Sequence, residues 1–319
     1  MRLAALILAI ALGLQPSGAA VQQSLSRGIW VWASGPLLHD LRERAMFFDF
    51  CERHSIGVAG VFIETDASPT GRRLKHAAEW AALLAEGRRH GMRLHALDGD
   101  PAYALRSQHD VVLAIVDAVI SYNASVAPAA RFYGIHFDIE PYLLPAWKQP
   151  ATREPLLADY LELNARVAKR AHAAGLVYGV DIPFWWQSID DATGKAVSMT
   201  TFRGIRRTAT EHLLTLVDNV GVMAYRNVAT GPDGIVGLAL DTLERADRIG
   251  EADVFVGIET EKISEGVPEE VTFARKSLNE LKAAVKLVDT TFVGRPSFAG
   301  VAIHRYVTLR QLAERQRGQ

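Results

Sequence analysis

The sequence contains one cysteine, Cys51, in 319 residues. No intramolecular disulfide can form, so a packed core has to hold the fold, and a chain of this length can bury one. Cys51 itself falls on an apolar helical stretch and reads as a core thiol. Surplus charge is also lacking: 35 Lys and Arg against 36 Asp and Glu leave a net charge of −1. Nothing in that balance suggests a nucleic-acid binder or a polybasic membrane-surface protein, and no nucleic-acid partner is expected. There is no His-x-His or His-Glu-x-x-His pattern, so His95 and His304 read as structural and no metal is expected. No Gly-rich phosphate loop follows the first strand-like segment, where Trp32-Ala33-Ser34-Gly35-Pro36 stands instead, and no cofactor is expected. Internal repeats and low-complexity linkers are missing too, which leaves no boundary for a second domain.

Long hydrophobic runs are nearly absent. The exception is Leu3 to Leu14, preceded by Met1-Arg2 and followed by Ser17-Gly18-Ala19-Ala20. It is too short to span a bilayer comfortably, but it has the charged start, apolar centre and small-residue end of a secretory signal. Residues 1–20 are therefore expected to be a signal peptide, and residues 21–319 the folded domain. The protein is expected to be exported, periplasmic or secreted, with no stable membrane insertion after cleavage.

What the chain does have is alternation. Strand-like segments at Ile29–Ala33, Gly57–Thr65, Met92–Leu97, Phe132–Glu140, Val177–Pro183, Asn219–Tyr225, Val254–Glu259 and Phe298–Tyr306 are each followed by a helical pattern. The helical patterns run over Leu37–His54, Leu74–His90, Val111–Tyr122, Leu156–Ala174, Glu211–Val217, Leu238–Ile249, Pro268–Val288 and from Thr308. Strand and helix in strict succession imply parallel pairing. Eight such units predict an α/β fold, the (β/α)₈ TIM barrel, in preference to an open doubly wound sheet.

The fourth strand is the unusual one. In Tyr133-Gly134-Ile135-His136-Phe137-Asp138-Ile139-Glu140-Pro141, apolar residues alternate with His136, Asp138 and Glu140. Parallel strands are commonly apolar on both faces, so this polar face belongs where the strand opens into a solvated cleft. Pro141, which has no N–H for the ladder, suits a strand end. In a barrel the carboxyl ends of the strands carry the chemistry. Here those ends supply Trp32, then Glu64 and Asp66, Asp98 and Asp100, His136 with Asp138 and Glu140, and Asp181 followed by Phe184, Trp185 and Trp186. Met223, Tyr225 and Arg226 follow on strand six, Glu259 and Glu261 on seven, and His304 on eight.

An acidic and aromatic rim suits a sugar, whose ring faces stack on Trp and Tyr while its hydroxyls bond to carboxylates. Cleaving a glycosidic bond needs a protonated carboxyl at the leaving oxygen and a second group to stabilise the cationic sugar. Asp138 and Glu140 would lie about 6 to 7 Å apart along a strand. Repulsion from Asp138 together with partial desolvation is expected to raise the pKa of Glu140 and make it the acid.

The stretch Tyr133 to Glu140 resembles the D-G-x-D-x-D-x-E signature of the chitinase-type glycoside hydrolases, family 18, and Met223-Ala224-Tyr225 resembles that family's Met-x-Tyr on strand six. The resemblance implies Glu140 as general acid, and Asp138 as the group that orients the substrate's own acetamido oxygen for attack. It implies Tyr225 as the residue that steadies that acetamido group. His136, Trp32, Glu64, Asp98, Asp181, Trp185, Trp186, Met223, Arg226, Glu259 and His304 are then the expected substrate contacts. The chain departs from the pattern at Tyr133 and His136, where the family has Asp. It departs again at Arg226, which replaces the Asp after Met-x-Tyr, and at His304, which stands where a Trp floors the pocket. Two other readings stay open. Glu140-Pro141 with Glu259 resembles the acid/base and nucleophile of retaining barrel glycosidases, and a carbohydrate-binding barrel without catalysis is the non-enzyme alternative.

Overall fold

The computed structural model describes residues 27–57, 60–65, 67–68, 73–262 and 268–317. The expected signal peptide and the rim residue Asp66 lie outside the described residues. Eight parallel strands close into a barrel in chain order: β1 (Arg27–Val31), β2 (Gly60–Glu64), β3 (Leu94–Asp98), β4 (Gly134–Phe137), β5 (Val177–Pro183), β6 (Asn219–Met223), β7 (Asp253–Glu259) and β8 (Phe298–His304). The seam is made by β1 on β8, with Arg27 opposite Val301 and Ile29 opposite Ile303. Each strand is followed by a helix: α1 (Leu41–Arg53), α2 (Ala77–Arg89), α3 (His109–Ser125), α4 (Pro150–Ala173), α5 (Ala209–Leu213), α6 (Ile235–Ile249), α7 (Leu278–Phe292) and α8 (Tyr306–Arg317). The chain thus has the expected (β/α)₈ architecture. Among the described residues no helix is long and apolar enough to cross a membrane.

Two cores result from the strand period of two. Outward residues such as Ile29, Val61, Ile135, Phe137, Val180 and Val256 pack under the helices, while Trp30, Phe62, Leu97, Phe255 and Ala302 form a separate cluster inside the barrel. Fully burying one such side chain stabilises the fold by about 1.5–3 kcal/mol. The interior also holds buried polar groups, His95, His136, Asp181 and Asn219. They fit because facing positions are glycine. A Cβ on Gly221 would overlap Asp181 Oδ1.

Element ends differ from the sequence expectation for local reasons. The helix expected over Leu37–His54 is broken at Asp40, whose extended backbone and side chain cap α1 by accepting from the N–H groups of Arg42 and Glu43. α7 begins at Leu278, not at Pro268, because Ser277 and Glu280 form a reciprocal capping box. β4 stops at Phe137, so Asp138 and Glu140 leave the ladder, although the Asp138 N–H still donates to the Asp98 carbonyl at 3.0 Å. The segment between β5 and α5 carries antiparallel pairs, Ile189–Asp190 with Lys195–Ala196 and Met199–Phe202 with Ile205–Thr208. Arg203, Arg206 and Arg207 belong to this second hairpin, and Arg206 pairs with Glu154 at 2.6 Å.

Candidate active site

The carboxyl ends of β4 to β8 bring one set of polar side chains together inside the mouth of the barrel. Asp181, on β5, lies at the bottom and is 3% exposed. Its Oδ2 accepts from the indole N–H of Trp30 at 3.0 Å and lies 3.0 Å from His136 Nε2. Above it, Asp138 and Glu140 follow β4. Burial, then the charges of Asp181 and Glu140, hold the Asp138 carboxyl well above the ordinary carboxylate range. Its Oδ1 is buried and finds no hydrogen-bond partner among the described residues. Glu140 is pushed up to about 7, first by burial and then by Asp181, with His304 acting in the opposite direction. The expected rise is present, but the charge behind it is Asp181 on the neighbouring strand. Glu140 also begins the single 3₁₀ turn Pro141–Leu143, which carries the Tyr142 hydroxyl round to donate to Glu140 Oε1.

Tyr225 closes the other side. Its hydroxyl is held well above its ordinary pKa by burial and by Glu259, Asp138, Asp181 and Glu140, so all four carboxyls act on one point. Glu259 is 4% exposed and both of its oxygens are engaged: Oε1 accepts from the Glu261 N–H at 2.6 Å, and Oε2 lies 2.8 Å from His304 Nδ1. Trp32 Nε1–H donates to His304 Nε2 at 3.0 Å, which makes Nε2 the acceptor and Nδ1–H the donor to Glu259. The expected site residues Trp32, Glu259 and His304 therefore form one hydrogen-bonded chain across the barrel seam.

Other expected contacts are placed elsewhere. His136 is fully buried, so it is a floor residue beneath the pair instead of a rim residue. Met223, 8% exposed, packs inside the barrel. Trp186 is 1% exposed and lies against Trp147 and Tyr160, so it is the packed base of its loop and offers no face to a ligand. Its neighbour Trp185 is half-buried and meets Tyr142 and Trp147 edge-on, forming an aromatic wall beside Glu140. Arg226 makes a two-pronged pair with Asp233 and covers the Phe184 ring.

Glu64 and Asp98 belong to a side cavity of about 490 Å³, lined also by Leu38, His39, His76 and Tyr103. Glu64 Oε2 accepts from the Ala33 N–H at 2.5 Å. Asp98 is pushed up to about 6 by burial, against the N–H of Gly99 and the hydroxyl of Tyr103. Asp100 caps the turn after it, accepting from the Ala102 N–H.

Sequence reasoning gave no role to Tyr142, Trp147 or Trp30. Tyr142 lies two residues beyond Glu140 and Trp147 five further on, so proximity to the motif was the available signal. Trp30 carried none, because its partner Asp181 is 151 residues away.

No family model matches the chain, and no curated protein matches it. Solved structures do share its fold. A chitinase from Chromobacterium violaceum matches over 93% of this chain and all of its own, with 11% identity and a TM-score of 0.51. A GH18 chitinase from Pseudoalteromonas aurantia matches over 91% of this chain and 99% of its own, with 11% identity and a TM-score of 0.53. A GH18 chitinase from Cycas revoluta, solved with allosamidin, matches over 87% and 94%, with 13% identity and a TM-score of 0.53. At these identities the likeness establishes a chitinase-like TIM-barrel fold.

Proposed function

We propose that the protein is an exported glycoside hydrolase that acts on an N-acetylated sugar polymer or oligomer, with the substrate's own acetamido group as nucleophile. One observation supports this above the rest: a carboxyl pushed up to about 7, Glu140, stands at the mouth of the barrel next to a second raised carboxyl with an unpartnered oxygen, Asp138. A general acid has to hold its proton at working pH and release it to the leaving oxygen, and Glu140 is tuned for that. Tyr142 occupies Oε1, which leaves Oε2 for the glycosidic oxygen.

In this reading the unpartnered Asp138 Oδ1 accepts the acetamido N–H, which turns the acetamido oxygen toward the anomeric carbon. Attack there forms a cyclic oxazolinium, and Asp138 stabilises the positive charge that develops. Tyr225 donates to the same group from the opposite side. Water then opens the ring, with Glu140 as base. Trp32 and Trp185 are half-buried and supply apolar ring faces for sugar stacking.

The engagement of Glu259 argues against its acting as a covalent nucleophile, since both oxygens serve neighbours and the group is almost fully enclosed. Glu259→Gln is expected to keep part of the wild-type turnover on N-acetylated oligosaccharides, whereas an enzyme with a Glu259 nucleophile would lose all of it. In parallel, a thiazoline analogue of the cyclic intermediate should inhibit at micromolar concentration or below, as transition-state analogues do. Indifference to the thiazoline, with complete inactivation by Glu259→Gln, would replace substrate assistance with the covalent mechanism.

A further inference from the structure

Helix α2 starts in an unusual way. His76 occupies its N-cap position in the left-handed region, with φ 56° and ψ 41°, and makes no side-chain capping bond. That backbone is unfavourable for a residue with a Cβ, and an N-cap side chain ordinarily accepts from the first turn. Instead, the His76 ring stands edge-on to His39, with centroids 4.6 Å apart and planes at 80°. Glu79, in the first turn of α2, brings a carboxylate to the same place. One donor atom from each of His39, His76 and Glu79 lies within 4.8 Å of the other two. His39 ends the helical turn Gly35–His39 after β1, so the three come from successive βα connections at the mouth of the barrel.

Two imidazoles and a carboxylate are a borderline nitrogen–oxygen donor set, which suits zinc better than the all-oxygen preference of calcium or magnesium. A tetrahedral zinc holds such donors at about 2.0–2.2 Å, hence about 3.3–3.6 Å from one another. Both histidines are exposed and Glu79 is partly so, so modest side-chain rotations bring the donors to that spacing without disturbing the core. We propose that His39, His76 and Glu79 form a zinc site that ties together the first two βα connections. His39 and His76 also line the side cavity that holds Glu64, Asp98 and Tyr103. Water, or an oxygen of a ligand in that cavity, completes the tetrahedron. Three protein ligands and one exchangeable position make this an open zinc site, in contrast to a sealed structural one. The site stands apart from the Asp138–Glu140 pair and does not depend on the glycosidase reading.

The test is a zinc titration of the untagged, chelator-stripped protein by calorimetry. One zinc per chain should bind with micromolar or tighter affinity. His39→Ala and His76→Ala should each weaken binding by more than the roughly 10–100-fold that loss of a group merely orienting a ligand costs. His90→Ala, which removes a histidine paired with Glu52 on a different surface, should leave the isotherm unchanged. The cobalt-loaded protein should show the visible bands of a four-coordinate ion, and these should vanish in His76→Ala, with far-UV circular dichroism confirming that the variants fold. Absence of stoichiometric binding, or binding that survives both histidine substitutions, overturns the site.

Discussion

Glu140→Gln is expected to lower turnover of N-acetylated oligosaccharides by about 10²- to 10⁴-fold, the usual share of a placed general acid, while binding is retained. Glutamine keeps the shape and the hydrogen bond from Tyr142 but has no proton to give to a leaving sugar. The pH profile supplies a second readout. Glu140 is protonated below about 7, so wild-type turnover should fall as pH rises through that value. The residual activity of the variant should lack that limb.

Stability follows the same proton. The folded state raises this carboxyl from 4.5 to about 7, so it binds the proton more tightly than the unfolded chain does. That contribution is fully present below about 4.5 and is lost as pH rises through about 7. Glutamine cannot ionise, so its thermal midpoint should gain on the wild type between about pH 4.5 and about pH 7, with no further gain above that. Equal oligosaccharide binding with no turnover by either protein would instead mark a carbohydrate-binding barrel.

The barrel was legible because each of its eight units carries its own period. Strands such as Val177–Pro183 and helices such as Leu156–Ala174 announce themselves locally, and β5 and most of α4 fall there. The Asp138–Glu140 pair was legible for the related reason that two acids interrupt an otherwise apolar strand. What could not be read depends on how the elements assemble. Trp32 meets His304 across 272 residues only because β1 and β8 form the seam. Asp181 becomes the charge that tunes Glu140 only because β5 lies beside β4. Trp185 and Trp186 are identical neighbours in sequence, yet successive positions of the 3₁₀ turn Phe184–Gln187 send one to the cleft and the other to the core. Composition cannot separate them. The His39–His76–Glu79 cluster was invisible to motif reasoning for a similar cause, since His39 comes from the connection after β1 and the other two from the start of α2, which meet because β1 and β2 pair.

The pairing of β3 with β4 makes Gly99→Ala a sharp test of how the pair is positioned. Gly99 follows β3, and its N–H donates to Asp98 Oδ1 at 2.7 Å. Asp98 in turn accepts the Asp138 N–H on its carbonyl, so the ends of β3 and β4 are tied back to back. A Cβ built on Gly99 would overlap the Asp138 carbonyl oxygen and crowd its carbonyl carbon. Those are backbone atoms and cannot swing aside as a side chain would, so the segment carrying Asp138 and Glu140 must move bodily. Overpacking of this kind costs about 1–3 kcal/mol, which a domain of this size survives. The effect on chemistry is larger. Displacing a catalytic group by about 1 Å can cost about 10²-fold, so kcat of Gly99→Ala is expected to fall by about that factor while KM changes little. The pH limb should also shift, because the distances from Asp181 to Asp138 and Glu140 set their coupled titration. Gly35→Ala is the matched control, since a Cβ there meets nothing within 4 Å, and it should behave as wild type. Wild-type kcat in a folded Gly99→Ala protein would mean that the position of Asp138 does not limit the reaction. Substrate assistance through Asp138 would then lose its geometric basis.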